Sequence, residues 1–247
     1  MGRHLDIRFH VGTAAWVNPP YERARRSVGL SHLSHYANLF DFVEINSSFY
    51  RSHQRATYER WRDNTPADFC FAVKLPRSVT HECALRHYRK ELRQFSEEVA
   101  GLGQKLRVIL VQLPASVSFE KGVASRFFKS LTDLCSCRIA CEPRHVSWFT
   151  ASADALLCRH GVARVAADPA RAPGGGLPGG SKRLAYYRLH GSPRIYYSAY
   201  STDFLTQLAT HIKASISTTK DVCCVFDNTA RHEAWSNARQ LCALLRR

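Results

Sequence analysis

The sequence predicts an α/β protein built as a (β/α)8 barrel of the TIM type, with a weak or missing helix after the sixth strand. Three observations carry that expectation. Apolar runs of strand length alternate with stretches of helical spacing eight times along 247 residues, the pattern of βα units around a parallel sheet. Some of those runs, such as Arg107–Leu113, are apolar almost throughout, which suits parallel strands covered on both faces. Seven of the eight end in a charged or amide side chain and then a loop, and in barrels of this kind the site is built from those ends. An open doubly wound sheet is the alternative architecture.

The elements read in order. Ile7–Thr13 is a strand, and Ala14–Gly29 a loop holding Trp16, Pro19, Pro20 and Tyr21. Ser31 can cap a helix to about Phe40, since Leu33, Tyr36, Ala37 and Phe40 fall at helical spacing. In the strand Phe42–Asn46, Val43 and Ile45 face one way and Phe42, Glu44 and Asn46 the other. A loop with Phe49, Tyr50 and His53 leads to a helix over 54–63, stopped by Pro66. The strand Phe69–Lys74 puts Cys70, Ala72 and Lys74 on a face of small residues with a charge at its end. Leu75–Arg86 is loop and 88–102 helix. The strands Arg107–Leu113 and Arg138–Glu142 flank a helix over 123–134. Ala153–Arg159 is a short helix closed by Gly161, a C-cap signal, and Val162–Asp168 is the sixth strand.

Residues 169–182 hold Gly174-Gly175-Gly176 and Pro178-Gly179-Gly180, which no helix accommodates. A mobile Gly/Pro-rich loop is expected there, and a domain linker is disfavoured by the little chain that follows. Tyr186–Gly191 is the seventh strand, with Tyr186, Arg188 and His190 on one face. A helix over 203–217, the strand Val222–Asn228 and a helix over 232–245 complete the chain. One domain over residues 1–247 is expected from this length and from 45% hydrophobic residues.

Composition bounds the function. A formal net charge of +15 predicts attraction to anions, from nucleic acid to a phosphorylated small molecule, with a merely basic surface as the plain reading. Nine cysteines without an apolar leader in Met1–His10 suggest reduced thiols in a cytoplasmic protein. No run has the length of a membrane span. Gly12-Thr13-Ala14-Ala15 lacks the further glycines of a dinucleotide or P-loop site, so no cofactor is expected. There is no Gly-x-Ser-x-Gly elbow to support a serine hydrolase.

The candidate site consists of the polar strand ends. Glu44 and Glu142 could divide into an acid and a base if their surroundings separate their pKa values. Lys74, set among small residues, suits a base or Schiff-base amine if desolvated, and otherwise serves as counter-ion to Glu44 or Glu142. His190 can move a proton near neutral pH. The planar fork of Arg188 fits a phosphate or carboxylate. Asn46, Gln112, Asp168 and Asn228 also stand at strand ends, with Asp227 beside Asn228. The loops add Trp16, Tyr50, Arg144 and Trp148, aromatics beside cations that could stack bases or grip one small ring. Carboxylates at strand ends can hold a divalent ion, but Lys74 and Arg188 would repel it and no HExxH or close His pair is present, so no metal is expected. Cys135, Cys137 and Cys141 read as C-x-C-x3-C without a fourth ligand, which favours buried thiols over a metal site.

Several of these segments form a recognisable set. They are Val11–Trp16, Val43–Tyr50, Phe71–Lys74 with His81, Val111–Pro114, Glu142–His145 through Trp148-Phe149, Ala167-Asp168 and Tyr187–Gly191. In this order, over nearly the whole chain, they resemble the DUF72, or YecE-like, family. The resemblance implies a TIM-barrel-like fold with a site at the strand ends, and no reaction, since the family's function is undefined. Two departures stand out. The family form places Phe and then Arg after the Glu of strand five, where this chain has Pro143 before Arg144. Its last strand ends in paired Asn, where this chain has Asp227-Asn228.

The functional expectation is a metal-independent enzyme acting on an anionic, phosphorylated or sugar-phosphate-like substrate. Arg188, Lys74 and Arg144 would hold the anion, and Glu44, Glu142 and His190 would transfer protons. The alternative is a protein that binds single-stranded nucleic acid at a basic, aromatic rim without catalysis. No membrane partner is expected.

Overall fold

Strand and helix alternate through most of the chain in a computed structural model that describes residues 8–215, 219 and 221–246. Strand β1 (Arg8–Ala14) leads through helices α1 (Pro20–Arg25) and α2 (His32–Ala37) to β2 (Phe42–Ile45). Helices α3 (Ser47–Tyr50) and α4 (Arg55–Asp63) precede β3 (Cys70–Lys74). A π-helical turn (Ser78–Glu82), α5 (Arg89–Val99) and a 3-10 segment (Ala100–Lys105) lead to β4 (Leu106–Gln112). Then come α6 (Lys121–Leu134), β5 (Arg138–Glu142), a 3-10 turn (Val146–Trp148) and α7 (Ala151–Arg159). Three short strands follow: β6 (Val162–Arg164), β7 (Ala166–Asp168) and β8 (Gly179–Gly180). The chain continues with β9 (Ala185–Leu189), α8 (Thr202–Ser215), β10 (Asp221–Phe226) and α9 (Glu233–Arg246). The expected strand start at Ile7 and helix end at Ser217 lie outside the described residues.

Local signals account for most boundaries. Ser31 accepts a hydrogen bond from the Ser34 amide at 3.0 Å and caps α2. Thr150 does the same for α7 from Ala153 at 3.3 Å. Gly161, at φ +68°, takes the left-handed position after α7. Helix α1 lies inside the expected loop Ala14–Gly29, because Pro20 occupies the first helical position, where its missing N–H costs nothing. Between Asp168 and Ala185 no helix is described. That stretch folds over Arg164, whose guanidinium donates to Asp154 and to the Gly174 carbonyl.

The strands hydrogen-bond in the order β7-β9-β10-β1-β2-β3-β4-β5-β6-β8. The pairings are parallel except that of β6 with β8. This is a mixed α/β fold on a parallel sheet, and the closed eight-stranded ladder expected from the sequence is not found among the described residues. The difference lies in residues 162–168, expected as one strand. They divide at Val165, so that β6 pairs with β5 while β7 pairs with β9. Neither half pairs with both β5 and β9, since β6 ladders with β5 and β8 and β7 with β9, and the two halves stand near opposite ends of the order.

Alternation sorts side chains to the two faces. One face carries a cluster that includes Phe42, Ala72, Leu110, Ala140, Tyr186 and Val225. The other packs on the helices through Val43, Phe71, Ile109, Cys141, Leu189 and Cys224, among others. Two residues beyond Phe42, Ala72, Ala140 and Tyr186, on the same face, come Glu44, Lys74, Glu142 and Arg188. The fold thus brings four strand-end charges from β2, β3, β5 and β9 onto one side.

Gly12 has a local structural role. A Cβ there would stand 2.0 Å from the Phe42 carbonyl oxygen and 2.9 Å from the Tyr36 hydroxyl. The missing side chain admits the fully buried Tyr36 phenol between β1 and β2. Its hydroxyl accepts from the Thr13 amide at 2.9 Å and donates to the Phe42 carbonyl at 2.9 Å. Tyr36→Phe would leave both backbone groups buried without that partner. We expect it to lower the unfolding free energy by about 1–3 kcal/mol, read from urea denaturation; an unchanged midpoint would show that the hydroxyl carries no stability.

Candidate functional site

Arg188 is the centre of the site and is 1% exposed. Its Nε donates to Glu44 Oε2 at 3.1 Å and its Nη2 to Glu44 Oε1 at 2.7 Å, a bidentate pair. Nη1 donates to Glu142 Oε2 at 2.7 Å, and Nη2 also reaches Asp227 Oδ2 at 3.0 Å. Tyr186 donates its hydroxyl to Glu44 Oε2 at 2.8 Å. A lone buried cation would be prohibitive; here β2, β5 and the end of β10 each bring it a carboxylate. The geometry turns the Arg188 fork inward, onto side chains of the chain itself.

His190 closes the cluster. Its Nε2 lies 2.9 Å from Glu142 Oε1 and its Nδ1 3.0 Å from Asp227 Oδ2. Burial works against a charged ring, but Glu142 and Asp227 together raise its pKa above 6.5. With a carboxylate at each nitrogen, the imidazolium can donate twice. Burial alone would raise Glu142 and Asp227, yet Arg188 and His190 hold Glu142 well below 4.5 and Asp227 below 3.8. Glu142 is therefore an ionised group. A division of labour in which it serves as the protonated acid finds no support in this geometry.

Lys74 stands apart from this network. Among the described residues no carboxylate lies within 4.0 Å of its Nζ, so it is not the close counter-ion of Glu44 or Glu142; Arg188 is. The ammonium sits 4.0 Å above the centre of the Phe49 ring. Burial, and then the charge of Arg188, bring its pKa down to about 8. Phe49 also meets the His81 ring, edge to face, with ring centres 4.9 Å apart. Burial lowers the pKa of His81, and Lys74, Arg77 and Arg144 lower it further. Arg144 lies over Glu142 at 3.4 Å with its Nε buried and without a hydrogen-bond partner. Lys74 and Arg144 thus stand as two cations beside the His81 imidazole at the ends of β3 and β5.

The remaining candidates divide. Gln112 is buried beside Glu142, its register partner. Asn46 follows β2 with its Oδ1 buried and unpartnered. Asp168 accepts from the Tyr200 hydroxyl at 2.8 Å, and its carbonyl accepts from the His190 amide at 2.8 Å. Asn228 is buried and donates to Ser198 and Asn237, which ties loops together. Trp16 is half-buried against Trp61 at 5.1 Å, and Tyr50 is 78% exposed. Trp148 is corrected outright. It is 1% exposed and donates its indole N–H to the Val117 carbonyl at 2.9 Å, so it holds a loop to the core and offers no face to a base.

Asp227 was expected only as a strand-end neighbour of Asn228, and Tyr186 and His81 were given no role in the site. Tyr186 was legible as a face-mate of Arg188, and His81 by its place in the loop after β3 and among the landmarks of the family resemblance. Of the thiols expected to be buried, Cys141 is, while Cys135 and Cys137 are half-buried; burial raises Cys135, pushes Cys137 up to about 12 and raises Cys141 further. Among the described residues, no group of three or more His, Cys, Asp or Glu is arranged to hold a metal ion. No described helix is long and apolar enough to cross a membrane.

The cluster ties stability to pH. Glu142 and Asp227 are depressed on folding, so their contribution is full above about pH 4.5 and is lost as pH falls through their folded values. His190 is raised, so its contribution is full below 6.5 and is lost as pH rises through its folded value. The window of full effect is about pH 4.5–6.5. The stability difference between the wild type and His190→Gln should therefore be largest in that window and shrink as the pH rises past it. Denaturation curves across pH 5–9 measure this, and a constant difference would mean that His190 is folded neutral.

Relatives agree with this architecture. A DUF72 family protein from Enterococcus faecalis V583 superposes with a TM-score of 0.81 at 19% identity, over 97% of this chain and 96% of its own. A second, from Thermotoga maritima MSB8, gives a TM-score of 0.79 at 23% identity, over 97% and 99%. At that identity the likeness concerns the fold. The UPF0759 protein YecE of Escherichia coli K12 is 31% identical over 107 residues, which is 43% of this chain and 38% of YecE. The match thus spans well under half of that relative. The family model described as "Protein of unknown function DUF72" matches residues 10–247, and the chain belongs to that family.

Proposed function

We propose that this chain is an enzyme that acts on an anionic substrate at the ends of β3 and β5, with Lys74 exchanging the proton and Arg144 and His81 holding the anion. The observation that carries this reading is the state of Lys74. It is an ammonium on an aromatic ring with no carboxylate within 4.0 Å among the described residues, and its pKa is brought down to about 8 by burial and by Arg188. An amine that titrates near neutral pH suits proton transfer or attack on a carbonyl. A bound anion would favour the charged forms that burial and neighbouring cations disfavour at Lys74 and His81, which supports a phosphate or carboxylate there. In this reading Arg188 and its carboxylates support the site from below, and Glu142 orients Arg144. Their carboxylate oxygens are turned to Arg188 and His190, which favours chemistry without a metal.

The same reading takes the sheet as a (β/α)8-type barrel of one domain. Its support is that β6 and β7 are successive pieces of one segment pairing toward opposite ends of the ladder. A second support is the inner cluster, which gathers side chains from one face of β1 through β6, β9 and β10.

A panel of phosphate, pyrophosphate, sugar phosphates and small carboxylates, read by thermal unfolding, tests the site. A ligand at 100 times its Kd should add about 2.7 kcal/mol of stability. That gain should vanish in Lys74→Met and in Arg144→Met, and ligand binding should raise the pH at which Lys74 is acylated. No stabilisation by any anion, or full stabilisation in both variants, would sink the reading.

A further inference from the structure

A second basic feature lies away from the strand-end cluster and shares no residue with it. A cavity of about 560 Å³ is lined by residues 85–90, Val123 and Arg126, between the loop before α5 and the start of α6. Arg86, His87, Arg89, Lys90 and Arg126 are all exposed there, and none of the lining residues is acidic. Among the described residues Arg86 alone of these has an ion-pair partner, Glu120 at 2.6 Å. Arg89, Lys90 and Arg126 have none.

The surrounding backbone compounds this positive charge. Helix α5 opens on Arg89-Lys90 followed by Glu91, and Tyr88 at its start gives no side-chain cap, its hydroxyl donating instead to the Arg126 carbonyl at 3.0 Å. Helix α6 opens on Lys121 with no acid in its first turn, and the Glu120 side chain at its cap turns to Arg86. Cations at helix starts oppose the macrodipole, where anions are favoured. Ala84, Leu85 and His87 all have positive φ, at 46°, 61° and 50°, conformations costly for residues other than glycine. Like charges are thus gathered, on a strained loop, where the fold itself disfavours them. A bound polyanion would offset the charge.

We propose that this groove binds the phosphodiester backbone of a nucleic acid. The cations are spread over a loop and two helices, more than one small anion would neutralise. The hollow shape fits a strand better than a flat bilayer. Leu85 and Val123 supply apolar wall beside the charges. The net charge of +15 adds attraction at long range. This surface is independent of the anion site at Lys74, and its test leaves Lys74 untouched.

Fluorescence anisotropy of labelled single-stranded and duplex DNA, titrated with the full chain at low and moderate salt, measures the interaction. The triple reversal Arg89→Glu, Lys90→Glu and Arg126→Glu should weaken binding at least tenfold. It should also flatten the salt dependence by about two in log–log slope for a single strand. The equal reversal of Arg60, Arg171 and Lys182, exposed elsewhere, should change affinity by less than about threefold if net charge alone is a minor term. Glu120→Gln, which frees Arg86, should tighten binding. Whether the single strand or the duplex binds more tightly identifies the source of the backbone. Equal losses in both triple variants would overturn the proposal. So would no binding at low salt, or the same variant sensitivity with anionic vesicles or tripolyphosphate and none with DNA.

Discussion

The buried guanidinium of Arg188 is the constraint around which the strand ends are arranged. It meets Glu44, Glu142 and Asp227 at 2.7–3.1 Å from three separate strands. Ions so enclosed give up most of their hydration, and their mutual attraction offsets that loss only when the geometry is good and the remaining donors are satisfied. The bidentate Glu44 pair, the Tyr186 hydroxyl on Glu44 and the two bonds of His190 meet that condition. Removing one member would strand the others, at a cost of about 3–5 kcal/mol. The value of such a network lies in position: it fixes where β2, β5, β9 and β10 end relative to one another, and so where the loops begin.

That network also determines what is left outside it. The carboxylates that might have paired with Lys74 are engaged by Arg188, while the Arg188 charge lies close enough to depress the Lys74 amine. Glu44, Glu142 and Asp227 act on Lys74 in the opposite direction, but less than burial and Arg188 combined. A lysine titrating near neutrality results from this balance, on a strand end whose backbone is held by Ser48 donating to the Lys74 carbonyl at 2.7 Å. The internal ion cluster and the candidate reactive amine are therefore parts of one electrostatic arrangement.

Much of this was legible in the sequence, and the reasons are local. A period of two in Tyr186-Tyr187-Arg188-Leu189-His190 assigns Arg188 and His190 to the face of Tyr186, and the same count puts Glu44, Lys74 and Glu142 inward. Partnership was not legible, because it depends on strands 40 to 140 residues apart: nothing local says that Arg188 takes Glu44 and Glu142 while Lys74 takes neither. Trp148 follows Arg144 and His145 and reads as rim, yet the turn at 146–148 rolls it into the core. The division of residues 162–168 at Val165 also escaped the pattern, since an apolar run carries no mark of where its partner changes.

Asp227 brings a carboxylate to the end of β10, within reach of Arg188 and His190. The resemblance to the family leads one to expect Asn at this position. An amide oxygen there could accept from Arg188 or His190, but it would bring no charge. The carboxylate of Asp227 accepts from both through Oδ2, at 3.0 Å each. Together with Glu142 it raises the pKa of His190 above 6.5, and His190 in turn helps to hold Asp227 below its ordinary value. When His190 is protonated, the three carboxylates exceed the two buried cations by one charge. That excess lies beneath Lys74 and Arg144, so it keeps the amine from losing its proton still more readily. The substitution thus bears on the protonation of two groups, His190 directly and Lys74 at a distance, while β10 keeps its register with β9 and β1.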